Sequence, residues 1–131
     1  RPPRSTLFPY TTLFRSVIAD RYELSTWVYQ SFAGGLPLAD VRAIGAVATR
    51  GLNPDLCIVL DVPTETGLTR KSGDGALDRM EQKDVEYRKK LRDGYLALAS
   101  TVDYPCIVID AGRDPDAVFA DVLGEVDRVL E

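Results

Sequence analysis

Asp20 and Arg21 follow the apolar triplet Val17-Ile18-Ala19, and a polar run carrying Ser25, Thr26, Tyr29 and Gln30 comes directly after them. A short apolar strand that ends in an acid and an arginine, with a polar helix start behind it, suits a nucleotide. At the carboxyl end of a parallel strand the chain leaves the sheet beside the ligand crevice. There Arg21 can fork onto phosphate oxygens, and Asp20 can hold a magnesium-bound water or a neighbouring arginine. Further along, Arg70 and Arg79 bracket the stretch Ser72-Gly73-Asp74-Gly75, and Arg113 follows Asp110-Ala111-Gly112. Each has a plainer reading. Asp20 and Arg21 could form a structural ion pair at a strand end, Arg70 and Lys71 a solvated helix end favoured by the macrodipole, and Arg113 an ordinary loop charge.

With no histidine anywhere in the sequence, histidine general-base and metal chemistry are excluded for this segment. Catalysis must rest on carboxylates, arginines and lysines. Phosphoryl transfer is a reaction that such a set can serve, because the protein supplies positioning and positive charge around the equatorial oxygens and little covalent help. A glycine-containing loop lets arginines swing in and exclude water.

These groups need a scaffold, and the pattern supplies one. Leu24 to Phe32 reads as a helix, broken by Ala33-Gly34-Gly35-Leu36-Pro37. Val41, Ile44 and Ala48 recur at helical spacing, predicting a helix over Leu38 to Arg50 that Gly51 and Pro54 stop. Leu56 to Val62 and Cys106 to Asp110 are too apolar for one-sided strands and read as buried parallel ones. Glu65 to Lys71 gives a short helix. Tyr87, Leu91, Tyr95 and Leu98 form a stripe on a long helix ending near Ser100, with both tyrosines expected in the core. Asp114 is suited to cap a last helix with Pro115 at its first position and Val118, Val122, Val126 and Val129 on its inner face. Strands alternating with helices mean a doubly wound α/β layer.

At 131 residues the chain makes one domain, and its 45% apolar and 27% charged content is ordinary for a globular protein. The net charge of −4 argues against polymeric nucleic acid, which needs a basic face to displace counterions. No run approaches the roughly 20 apolar residues of a membrane helix. Cys57 and Cys106 each sit in a short apolar run, as buried free thiols do, and the expected setting is the reducing cytoplasm.

Residues 1–16 do not read like the rest. Arg1 to Ser16 matches, residue for residue, the translation of a common short-read sequencing adapter, so it is set aside from fold reasoning. Residues 17–131 are then expected to be the C-terminal part of a longer domain, beginning inside a strand.

The run Asp-Arg-Tyr-x-x-Ser-Thr-x-x-Tyr-Gln from Asp20, with Pro54-Asp55-Leu56, Leu60-Asp61-Val62, Leu77-Asp78-Arg79-x-Glu81 and Ile109-Asp110-Ala111, resembles the thymidylate kinase family of bacterial type. The resemblance runs from Val17 to about Leu130. It implies a P-loop kinase-like doubly wound parallel sheet, here incomplete, and transfer of the γ-phosphoryl group of ATP to thymidine monophosphate with Mg2+. It implies a homodimeric parent enzyme and a lid at about residues 70–80. By the same resemblance Arg21 holds the acceptor phosphate and Asp20 stands beside the transfer site and its magnesium shell. Thr26, with Ser25 beside it, meets the thymine edge, Tyr29 packs by the deoxyribose, and Gln30 lines the pocket. Arg70 and Arg79 become phosphate or adenine contacts with a catalytic part, and Arg113 lies in the loop under the adenine. Alternatives are another nucleoside or nucleoside-monophosphate kinase, or a non-catalytic nucleotide-binding α/β domain.

Two features depart from the family pattern. Ser72 and Asp74 fall in the lid where bacterial-type members often carry further arginines. No Gly-x-x-x-x-Gly-Lys-Ser/Thr occurs, and Lys71-Ser72 is a decoy, since Arg70 stands where the last glycine belongs. The resemblance puts the strand bearing that loop between the strand ending at Ala19 and the strand of Cys57. Without it, the N-terminal third through Phe32 is expected to pack loosely, with Leu56 to Leu130 gathered around two strands, and the chain alone is expected to be inactive.

Overall fold

A computed structural model describes residues 16–67 and 79–130. The adapter-like segment through Arg15, Arg70, most of the expected lid and the end of the short helix expected to reach Lys71 lie outside the described residues.

Helix α1 begins as a short α-helix, Glu23–Thr26, and continues as a π-helix, Trp27–Ala33. Helix α2 covers Leu38–Thr49. It ends where the expectation put it: Arg50 and Gly51 both take left-handed φ, and the Gly51 N–H donates to the Ala46 carbonyl. Strand β1 is Cys57–Asp61, a single helical turn spans residues 64–67, and helix α3 runs over Arg79–Ala99. Strand β2 is Cys106–Asp110 and helix α4 is Pro115–Leu130. The Asp114 carboxylate accepts from the Asp116 and Ala117 backbone N–H groups, so the expected cap is formed.

β1 and β2 pair in parallel, Cys57 beside Cys106 through Asp61 beside Asp110. They form a two-stranded sheet with α3 against it and α4 against β2. Both thiols are free although their strands adjoin. Burial, and then the neighbouring Cys57, push the Cys106 thiol up to about 12.

The core lies on the helical side. Leu24, Trp27 and Val28 of α1 meet Val41 of α2 and Leu98 of α3, with Cys57, Val59, Tyr95 and Cys106 closing around them. Two glycines permit this approach. A Cβ on Gly45 would stand 2.5 Å from Glu23 Oε1, and one on Gly94 would stand 3.0 Å from the Phe32 ring.

Three expectations fail. Val17 to Ala19 is not a strand, and Ile18 is 98% exposed; three apolar residues with no paired neighbour cannot satisfy their backbone groups as a strand. The N-terminal third is not uniformly loose, because α1 supplies three of the buried core residues. Its apolar face finds a partner in α2 and α3 without any strand before it. Tyr87 is 43% exposed, not core; it lies on the part of α3 that precedes the contact with α1, whereas Tyr95 packs against the buried cluster.

Candidate active site

Asp20 and Arg21 stand at the head of α1, and Arg21 has φ 71°, the left-handed region. That conformation costs a non-glycine residue about 1 kcal/mol or more and persists only where its surroundings hold it. Tyr29 does part of the holding. The Arg21 guanidinium lies 5.2 Å from the centroid of the Tyr29 ring. Hydrogen bonding and charge interaction with Tyr29, followed by charge interaction with Tyr95, raise its pKa above the ordinary arginine value. The side chain stays charged and in water, close to an aromatic ring.

Ser25 lies one turn before Tyr29, and its hydroxyl pairs with the Tyr95 hydroxyl at 2.7 Å. This bond fastens α1 to α3. Thr26 and Gln30 are exposed on the same helix, as is Asp20 before it. Tyr22 donates its O–H to the Leu52 carbonyl at 2.9 Å, tying the segment ahead of α1 to the chain entering β1. Asp20, Arg21, Ser25, Thr26, Tyr29 and Gln30 therefore share one short stretch whose backbone is anchored on two sides.

Arg113 is elsewhere. It follows β2, donates to the Asp110 carbonyl at 3.0 Å, and pairs with Asp121 of α4. That hydrogen bond to Asp121 raises its pKa. No hydrogen bond or ion pair among the described residues joins Arg113 to Arg21. Arg79 opens α3, and Arg70 lies outside the described residues.

One strong contact at the carboxyl end of the sheet escaped the sequence reading. Arg92 of α3 grips Asp61 at the end of β1 in a bidentate pair, Nε to Oδ1 at 2.6 Å and NH2 to Oδ2 at 2.8 Å. The pair holds the Asp61 carboxyl below the usual range, the hydrogen bond from Arg92 being the main cause. One turn earlier Lys89 reaches Glu65, 3.3 Å away, across the turn that follows β1. Arg92 falls on the turn between Leu91 and Tyr95, the one hint that it faces inward.

Among the described residues there is no group of three or more carboxylate or thiol ligands that could hold a metal ion. A magnesium ion carried by nucleotide phosphates and water needs only one or two carboxylates, and exposed Asp20 beside Arg21 fits that lesser demand. No helix among the described residues is long and apolar enough to cross a membrane.

A two-stranded parallel sheet with helices packed against it defines the class as an α/β protein. Comparison with known proteins narrows this. The family model of thymidylate kinase matches residues 10–122, and the chain belongs to that family. It is 43% identical over 118 residues to a thymidylate kinase of Nitrobacter winogradskyi, covering 87% of this chain and 51% of the relative. A thymidylate kinase of Carboxydothermus hydrogenoformans is 39% identical over 108 residues, 82% of this chain and 52% of its own length. One of Caldanaerobacter subterraneus is 36% identical over 125 residues, 95% and 60% respectively. The chain thus spans about half the length of the curated relatives it matches. The family has the P-loop kinase fold, and the two parallel strands with their helices are consistent with an incomplete portion of it.

Proposed function

We propose that residues 17–131 are the C-terminal part of a thymidylate kinase that transfers the γ-phosphoryl group of ATP to thymidine monophosphate, giving thymidine diphosphate. The observation that carries this reading is the family match across residues 10–122. In the proposed enzyme Arg21 binds the acceptor phosphate. Its contact with Tyr29 supports that role, because a guanidinium held near one ring meets phosphate oxygens from a restricted set of orientations. Thr26 and Gln30 face the thymine, Tyr29 packs by the sugar, and Ser25 sets the pose of α1 through Tyr95. Mg2+ arrives with ATP, where it neutralises phosphate charge, and Asp20 belongs to its water shell. Arg70 and Arg79 of the lid at about residues 70–80 contact phosphates or adenine, and Arg113 stands by the adenine. The parent is a cytoplasmic homodimer that binds neither polymeric nucleic acid nor membrane.

The 131-residue chain is itself inactive on this reading. Its sequence holds no phosphate-cradling Gly-x-x-x-x-Gly-Lys-Ser/Thr loop, and positioning of the β and γ phosphates is most of this catalysis. A coupled assay with ATP, Mg2+ and thymidine monophosphate on the purified chain is expected to show no turnover. Turnover above background that Arg21→Ala abolishes would overturn the inactivity.

A further inference from the structure

Asp61 and Asp110 are register partners at the last rung of the parallel pair, so two carboxylates stand on neighbouring strands at the carboxyl end of the sheet. Like charges so placed repel, and each is met by an arginine. Arg92 of α3 takes both oxygens of Asp61, at 2.6 and 2.8 Å. Arg113 meets Asp110 more loosely: its Nε donates to the carbonyl at 3.0 Å and lies 3.9 Å from Oδ2. The two pairs differ in setting as well. The Asp110 side chain is 67% exposed, whereas that of Asp61 is 19% exposed, so the Arg92 pair is the one shielded from water.

The grip on Asp61 reaches further than its own strand. The Asp61 carbonyl accepts from the Ala111 N–H at 2.8 Å, so the residue that Arg92 holds is also the one from which the chain after β2 departs. That departing chain turns tightly: the Gly112 N–H donates to Asp110 Oδ1 at 2.8 Å, and a Cβ on Gly112 would stand 3.1 Å from that oxygen and 3.8 Å from Pro63 Cδ. The segments leaving β1 and β2 therefore lean on each other. Lys89, one turn before Arg92, reaches Glu65 at 3.3 Å, but that pair is exposed and adds little. The bidentate fork of Arg92 sets both the direction and the plane of the Asp61 carboxylate, which a single-point contact cannot do.

We propose that Arg92 is a positioning residue for the ATP side of the reaction: through Asp61 it sets the loop of residues 110–113 on which the adenine rests. The inference rests on the assignment of Arg113 to the adenine made above. Arg92 touches no substrate in this role, and with both carboxylate oxygens held by a guanidinium Asp61 acts through its backbone and not as a base. No hydrogen bond or ion pair among the described residues joins Arg92 or Asp61 to residues 20–30, so the acceptor side is left outside this linkage.

The test uses a full-length thymidylate kinase that carries residues 17–131, with KM measured separately for ATP and for thymidine monophosphate. Arg92→Ala is expected to raise KM for ATP at least about fivefold and to leave KM for thymidine monophosphate within about twofold, because the displaced loop lies on one side of the reaction. Arg92→Lys, which keeps the charge and loses the fork, should fall between wild type and Arg92→Ala. Asp61→Asn should raise KM for ATP in the same direction, and it stands in if Arg92→Ala fails to give the wild-type circular dichroism spectrum. Arg113→Ala separates this proposal from the assignment beneath it and should itself raise KM for ATP. If it does so while the folded Arg92 and Asp61 variants keep the wild-type KM for ATP, or shift both KM values equally, Arg92 only braces the fold and the proposal is overturned with the assignment intact. An unchanged KM for ATP in Arg113→Ala would overturn the assignment and the proposal together.

Discussion

The inner face of α1 is closed: Leu24, Trp27 and Val28 lie against Val41 and Leu98 with almost no exposed surface. Around β1 and β2 the packing is open, for Leu60 is 55% and Val108 43% exposed, and Phe119 and Leu123 of α4 are also in water. The helical region holds itself together through α1 packed against both α2 and α3, whereas the sheet region depends on two strands and the helices that happen to cover them. Arg21, Ser25 and Tyr29 stand on the closed region, while Asp110 and Arg113 stand on the open one. Parallel strands are ordinarily buried on both faces, so the sheet region is the one whose packing further chain would complete.

The most damaging substitution should fall in the closed region. Trp27→Ala removes its biggest core side chain and should cost about 3–5 kcal/mol, enough to abolish the cooperative thermal transition followed by circular dichroism in a domain of ordinary stability. Val118→Ala, the corresponding change on α4, should cost only about 1 kcal/mol. If the two variants melted together, the contrast between regions would be false.

Next comes the clamp that joins α3 to the sheet. Arg92→Ala strands Asp61 at the end of β1 and should lower the midpoint of urea unfolding. The pH dependence has a definite sign. The folded Asp61 pKa lies below its unfolded value, so the contribution is present above about pH 4 and lost as pH falls through the folded value. Asp61→Asn should be less stable than wild type at pH 7 and approach it near pH 2. At the other extreme, the raised Cys106 pKa gives stability that is present below about pH 8.5 and lost as pH rises toward the folded value of about 12. Cys106→Ala should flatten that alkaline loss.

A milder change concerns the helix cap of the open region. Asp114→Ala removes the acceptor for two backbone N–H groups and should cost about 1 kcal/mol. Its amide signature should be faster exchange confined to the first turn of α4.

That cap was legible because a local pattern, Asp114 before Pro115, dictates it whatever the rest of the chain does. The same holds for the end of α2 at Arg50 and Gly51, and for the strands of Cys57 and Cys106, whose apolar runs read as parallel and pair as such. What the sequence hid was long-range. Val17 to Ala19 carries strand-like residues, but a strand is made by its neighbour. The π winding from Trp27 has no periodicity signal in seven residues. The Arg92 grip on Asp61 and the Arg42 stack on Trp27 join residues far apart in sequence. For the candidate site, the residue types at Asp20, Arg21 and Tyr29 pointed to a phosphate, whereas the diversion of Ser25 to Tyr95 required the packing of α1 on α3.

Whether Arg21, held over Tyr29, binds the acceptor phosphate can be decided in a full-length thymidylate kinase that carries residues 17–131. Steady-state kinetics with ATP, Mg2+ and varied thymidine monophosphate should show kcat/KM lowered at least tenfold by Arg21→Ala, about 1.4 kcal/mol or more of transition-state stabilisation. Tyr29→Leu, which removes the ring beneath the guanidinium, should lower it in the same direction by less. An Arg21→Ala enzyme with wild-type kcat/KM would contradict that role for Arg21.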